Sequence, residues 1–198
     1  MSIIFYHSPP TCPADLPSLK RLRAGRQVVL SVRNDGGHWQ EGKSLVEEKI
    51  RDATKILNLL RSMSDYKPHF EIIGNYRLID DGERPEATIM LRANDKEMHE
   101  ADTGVGPVDA LAKVLKKSLK SIFPEIDEVK LIDFSSRIFD PGAGTAAGVE
   151  VEILFSNGKD AWKVKAFSEN ICKASFLALV DGFEYGILIS KERKEKEG

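Results

Sequence analysis

The chain has 198 residues, 41% of them hydrophobic and 30% charged, with a net charge of −2. That length buries a real core as one domain or a domain with an extension, and the near-neutral charge gives no general basis for binding nucleic acid or an anionic membrane. Apolar runs such as Ile187-Leu188-Ile189 are far too short to span a bilayer, and Met1 to Tyr6 lacks the basic flank and apolar core of a signal peptide. Cys12 and Cys172 show no metal or disulfide spacing, which implies free thiols and a cytoplasmic location.

Residues 1–69 read as an N-terminal extension. Ser8-Pro9-Pro10-Thr11-Cys12-Pro13 with Pro17 is loop-like, because proline lacks a donor and fixes φ. Gln27 to Val32 reads as a strand ended by the turn Asn34-Asp35-Gly36-Gly37. A helix is expected over 43–64, where Val46, Ile50, Ala53, Leu57 and Leu60 recur at helical spacing, and Lys67-Pro68 breaks it.

From residue 70 a pattern begins that occurs twice. The first copy has a strand from Phe70 to Asp80, a second from Ala87 to Ala93 and a third through Glu97 to Ala101. A helix follows from Pro107 to Phe123, with apolar Val108, Leu111, Leu115 and Leu119 on one side and a solvated lysine face of Lys113, Lys116, Lys117 and Lys120. The second copy has strands at Val129 to Phe139, Val149 to Phe155 and Ala161 to Phe167, the latter two alternating with the period of half-buried strands. Its helix, from about Ile171 to Ile189, is apolar nearly all round and must be buried on more than one side, which a subunit interface would supply. Residues 191–198 read as a charged, solvated tail. The fold class is α+β, two pseudo-symmetric βββα units formed by internal duplication, preceded by a small strand-plus-helix region.

Both helices open on polar or glycine-rich segments. The first is Thr103-Gly104-Val105-Gly106-Pro107-Val108-Asp109-Ala110-Leu111, and its echo is Ser168-Glu169-Asn170-Ile171-Cys172-Lys173-Ala174-Ser175, with 64 residues separating Ala110 from Ala174. The free N–H groups of a helix start attract anions such as a carboxylate, which points to a small ligand before catalysis. Each residue also has a structural role open to it. Asp109 is favoured in a first helical turn by the dipole, Asn170 is a natural N-cap, Phe134 and Trp162 suit a core, and Cys172 suits a small core position.

Gly104-Val105-Gly106-Pro107-Val108-Asp109-Ala110-Leu111, Leu131-Ile132-Asp133-Phe134, Gly144-Thr145-Ala146-Ala147, and Trp162 with Ser168-Glu169-Asn170-Ile171 and Ala178-Leu179-Val180-Asp181 occur in that order. Together they resemble the C-terminal regulatory domain of the 2-isopropylmalate synthase and citramalate synthase family over residues 70–190. The Ser-Glu-Asn-Ile and Ala-Leu-Val-Asp strings are closer to the citramalate branch. The resemblance implies two βββα units related by a pseudo-twofold axis, a homodimer, and feedback binding of leucine or isoleucine near the dimer interface. It places the effector at Gly104, Gly106, Pro107, Asp109, Asp133, Phe134, Ile138, Thr145, Ala146, Ala147 and Asn170. In that picture the helix start takes the carboxylate, Asp109 or Asp133 the ammonium, and Phe134, Ile138, Ala146 and Ala147 the branched side chain. The family usually carries Tyr where this chain has Phe134, so one possible polar contact to the ligand is missing.

The family's catalytic (β/α)₈ barrel, of about 250 residues, has no counterpart here. His7, His38, His69 and His99 form no His-x-His pair, and no nucleophile–base pair or phosphate loop stands out. The expectation is a non-enzymatic regulatory subunit without cofactor or metal, free-standing in preference to a piece of a larger synthase, with a separate catalytic synthase as a possible partner. The competing reading is a purely structural dimerisation domain without ligand.

Overall fold

The computed structural model describes residues 21–24, 27–33, 39–41, 50–139 and 147–197. The chain divides into two compact units, Met1–Lys49 and Ile50–Gly198. In the first, β1 (Arg21–Ala24), β2 (Gln27–Arg33) and β3 (Trp39–Glu41) form an antiparallel sheet with β2 in the middle. The strand expected at Gln27 to Val32 is β2. The proline-rich stretch, the turn at 34–37 and residues 43–49 of the expected helix lie outside the described residues.

The second unit opens with β4 (Ile50–Asp52) and α1 (Ala53–Arg61). Here the expectation of one helix over 43–64 needs correction. Ile50, Arg51 and Asp52 pair in parallel with Ala161, Trp162 and Lys163, so sheet hydrogen bonds override an apolar spacing that also fits a helix. Asp52 then caps α1, its carboxylate accepting from the Lys55 amide at 3.3 Å. Ala53 and Leu57 are fully buried in the common core, and Thr54 Oγ1 accepts from the Lys165 amide at 2.7 Å. Residues 50–69 are thus part of the same compact unit as the residues that follow them.

The first βββα unit has β5 (Glu71–Ile72), β6 (Arg77–Ile79), β7 (Glu86–Ala93), β8 (Lys96–Thr103) and α2 (Pro107–Lys120). The strand expected over Phe70 to Asp80 is two pieces, interrupted where Gly74 takes φ +71°, and both pieces pair with β7. Asn94 and Asp95, both at positive φ, make the tight β7–β8 turn. A short 3₁₀ helix (Pro124–Glu128) leads to the second unit, β9 (Lys130–Ile138), β10 (Val149–Ser156), β11 (Ala161–Ser168) and α3 (Ile171–Glu197). Its sheet runs β4-β11-β10-β9, with β9 at one edge. Each helix packs on the sheet of its own unit, and α2 also packs on α3.

A shift of 64 residues superimposes the inward-facing positions: Ile89 on Ile153, Leu91 on Phe155, Met98 on Trp162, Leu115 on Leu179. Ile89, Leu91, Leu115, Ile153, Phe155, Trp162 and Leu179 are all 0–1% exposed and belong to one core. The duplication read from the sequence is the architecture.

Most of the apolar surface of α3 is covered by its own chain, where the sequence pointed to a subunit interface, and Ile171 (43%) and Leu177 (41%) stay exposed. Against the sheet, a Cβ at Gly182 would overlap the Phe155 ring and one at Gly186 would come within 3.2 Å of Trp162. Trp162 Nε1 donates to the Gly182 carbonyl at 3.0 Å. On another side the connector after α1 fastens to Glu184, which is 2% exposed. That carboxylate accepts from the Tyr66 hydroxyl at 2.6 Å and the His69 amide at 3.0 Å, and lies 2.8 Å from His69 Nδ1. Burial alone would raise the Glu184 pKa; hydrogen bonds from His69 and Tyr66 hold it below the ordinary carboxylate range. The helix also runs on to Glu197, so the charged, mostly exposed residues expected as a tail are helical. Arg193 is tied to Asp160, and Lys194 reaches Glu125 at 3.3 Å.

Candidate functional site

The glycine-rich start of α2 is largely occupied by its own chain. A Cβ on Gly104 would overlap the Ala110 backbone, so this glycine is required by close approach within the turn. Gly106 is the N-cap and has open space where a Cβ would stand. Pro107 occupies the first helical position, where it contributes no N–H. Asp109 Oδ2 accepts from the Val105 amide at 2.9 Å and pairs with Lys113 Nζ at 2.8 Å, the arrangement expected of a first-turn acid. At the start of α3, Asn170 Oδ1 accepts from the Cys172 and Lys173 amides at 2.8 and 3.1 Å, a complete N-cap. Burial, followed by Asp80, pushes the Cys172 thiol pKa up, as befits a packing residue.

The first α2 turn borders a cleft of about 350 Å³ between α2, the beginning of β9 and α3. The buried side chains of Phe155, Leu179 and Phe183 lie beneath it, with Val129 and Leu131 on one wall and Ala112 on the other. Asp109, Lys113, Lys116 and Lys130 supply the charge. Lys116 is held in place, its Nζ donating to the carbonyls of Asp127 (2.9 Å) and Val129 (3.0 Å). Its pKa is lowered by burial, which Lys120 and Lys130 reinforce and Asp127 opposes.

Of the residues expected at a ligand site, Asp109 lines this cleft and Phe134 lies three positions along the strand from Leu131. Phe134 is opposite Ile153 in register, facing the helices, and is partly buried against the core. Asp133 is opposite Leu154, on the other face of the sheet, since neighbours on a strand alternate. The two adjacent residues therefore do not share one pocket wall. Ile138 is 61% exposed near the end of β9. Ala147 stands just before β10, half-buried, while Thr145 and Ala146 lie outside the described residues. Asn170 does not line the cleft.

A second hollow of about 330 Å³ lies on the outer face of the β9–β10–β11 sheet, between Ser135, Arg137, Glu150, Glu152 and Lys165. Its charges cancel: Arg137 pairs with Glu150 at 2.6 Å and Lys165 with Glu152 at 3.0 Å. The Arg137 guanidinium holds Glu150 below the usual carboxylate range in spite of burial.

Residues 53–187 match the model of the LeuA allosteric (dimerisation) domain. The chain belongs to this family. It is 37% identical over 147 residues to an (R)-citramalate synthase from Geobacter sulfurreducens, covering 71% of this chain and 28% of that protein. An (R)-citramalate synthase from Aquifex aeolicus is 32% identical over 177 residues, covering 89% and 32% respectively. A 2-isopropylmalate synthase from the same organism is 27% identical over 145 residues, covering 69% and 25%. The chain spans less than a third of the length of these relatives. The family match covers an allosteric domain, and among the described residues no group of His, Cys, Asp and Glu suits a metal ion, and no helix is long and apolar enough to cross a membrane.

For this LeuA-type domain, every cleft residue except Asp109 was left out of the expected site: Ala112, Val129, Lys130, Leu131, Phe155, Leu179 and Phe183, together with Lys113 and Lys116, which read as plain solvated residues. Helical periodicity assigns a face but not the neighbour that face meets. One usable signal was present. Under the 64-residue shift, Ala112, Lys113 and Lys116 fall on Phe176, Leu177 and Val180, so the two copies differ in chemistry at this spot.

Proposed function

We propose that this chain is the effector-sensing, dimer-forming part of a citramalate or 2-isopropylmalate synthase system. It binds leucine or isoleucine, acts on a catalytic partner that is a separate subunit or a further part of the same polypeptide, and does not catalyse condensation itself. The observation that carries the reading is the α2–β9–α3 cleft. It sits beside the Gly104–Asp109 turn, has Ala112 and the part-exposed Leu131 on its walls to meet a branched side chain, and has both signs of charge at its rim for a zwitterion. A second copy suits the edge strand β9, which leaves Ile132 (50%) and Ile138 (61%) exposed, followed by Phe139 (64%), edge-on to the half-exposed Phe167. Regulation then works by linkage: an effector that binds one dimer arrangement better shifts the population toward it, and the catalytic partner senses the shift.

Isothermal titration of the purified chain with leucine, isoleucine and valine, alongside light scattering, tests the proposal. Heat and a raised melting temperature with leucine or isoleucine are expected, on a dimer. No heat and no thermal shift with any of the three removes the ligand. Acetyl-CoA consumption with 2-oxo acids is expected to be absent, and activity in this chain alone would overturn the non-catalytic role. A ligand-free dimerisation domain is favoured by one observation, the internal satisfaction of Asp109 and Asn170. An assembly state indifferent to amino acids is its signature.

A further inference from the structure

Three additions to the duplicated frame occur in its second half only. β4 pairs with the outer edge of β11, whereas β8, the matching strand of the first unit, pairs only with β7 among the described residues. α2 ends at Lys120, the position matching Glu184, whereas α3 continues to Glu197. The β10–β11 turn carries Asp160 where the first unit has Lys96. The first unit packs its helix on its sheet without any of the three, so a βββα frame does not need them.

The three additions meet. Asn157, 7% exposed, accepts at Oδ1 from the Lys159 and Asp160 amides (3.1 and 2.8 Å), and the Ser156 hydroxyl donates to the Asp160 carbonyl at 2.9 Å. The turn is thus fixed through its backbone, and the Asp160 carboxylate is left for partners from elsewhere. One is Arg51 of β4, at 3.4 Å, and the other is Arg193 in the last turns of α3. Arg51 also bonds the Tyr185 hydroxyl on α3. Those last turns are held on a further side, with Lys191 Nζ 5.4 Å from the centre of the Phe123 ring and Lys194 on Glu125 at 3.3 Å.

β4 itself is lightly attached. Only three of its residues pair with β11, Arg51 is half-exposed, and ion pairs open to solvent hold weakly. Its neighbour α1 has anchors of its own: Ala53 and Leu57 in the core, the Thr54 hydroxyl on the Lys165 amide, and Arg61 on Asp181 at 2.5 Å. Local opening therefore takes β4 off its edge while α1 stays docked.

We infer that β4 is a releasable strap and that the last turns of α3 latch it through Asp160. The chain enters the 50–197 unit at β4, directly after Met1–Lys49. Release adds three residues, about 10 Å of extended chain, to the segment ahead of α1. Loosening of the α3 end is thereby converted into slack at the entrance, an order–disorder switch. Strap and latch need no effector, so they stand or fall apart from the amino-acid reading.

Hydrogen exchange of the full chain, followed by mass spectrometry, tests the device. Asp160→Asn keeps the backbone bonds of the turn and removes the charge. Exchange at 50–53 and 161–163 should rise about fivefold, while 149–156 stays within about twofold. Arg193 bonds Asp160 and not β4, yet Arg193→Met should raise exchange at 50–53 about threefold. Unaltered exchange at 50–53 in Arg193→Met overturns the latch, and in Asp160→Asn it overturns the strap. If Asp160→Asn loosens the whole unit, the unaltered protein decides in salt raised from about 0.05 M to about 1 M. Faster exchange at 50–53 with 149–156 unmoved upholds the strap. Exchange that rises everywhere, or not at all at 50–53, ends it.

Discussion

In the second βββα unit α3 presents Gly182 and Gly186 to the rings of Phe155 and Trp162, whereas the corresponding positions of the first unit are Ser118 on α2 and Ile122 just past its end, and Leu91 and Met98 on the sheet. Large sheet residues go with an absent side chain on the helix, and smaller sheet residues go with larger helix residues. The duplicated frame thus keeps its helix-to-sheet spacing while its contents drift, because close-packed interiors conserve volume before identity. The same comparison explains the cleft. Where α3 places Phe176, α2 places Ala112, and no opposite residue has grown to fill the difference.

Gly182→Ala breaks this comparison hardest. Its methyl group would overlap the Phe155 ring, and a loss of about 3 kcal/mol is expected in urea unfolding. Adding Phe155→Leu, which gives the second unit the residue of the first, should recover part of the loss in a double-mutant cycle.

Glu184→Gln comes next. Its counterpart Lys120 is an exposed residue paired with Asp127, while Glu184 collects three donors in the core, and a cost of about 2 kcal/mol at pH 7 is expected. Because the folded pKa of Glu184 is depressed, its contribution is complete above the unfolded carboxylate value of about 4.3 and disappears as pH falls through the folded value. Unfolding midpoints should therefore converge between the unaltered protein and Glu184→Gln on acidification from pH 5 to pH 3. A constant gap would refute the assignment.

Smaller still, Asn170→Ala removes the α3 cap and should lower stability by about 1 kcal/mol. Gly106→Ala, at the matching position of α2, should change stability by no more than about 0.5 kcal/mol, because Gly106 is extended (φ −163°) and contributes no side-chain cap. Equal losses at the two caps, read as melting temperatures, would show that the helix starts are equivalent after all.

Much of this architecture is legible in the residues because it is written in local periods. Alternation in Val149 to Phe155 and Ala161 to Phe167, the stripe of α2 and the polar caps each depend on a few neighbouring positions. What escapes is set by partners far along the chain. Ile50 fits a helical spacing, but its hydrogen-bonding partner is on β11. The apolar circumference of α3 calls for a second cover, and nothing local says that Tyr66, His69 and Tyr76 contribute to it. At the candidate site, Asp109 and Asn170 were each readable as caps. Lys116 reads as a solvated residue, but its Nζ is fixed on the carbonyls of Asp127 and Val129, partners that a helical period does not reveal.

Asp160, in the β10–β11 turn, takes an ion pair from Arg51 at 3.4 Å and another from Arg193. The first strand and the last helical turns of the 50–197 unit therefore arrive at the same carboxylate. Losing the Asp160 carboxylate would therefore release both ends of the unit at once.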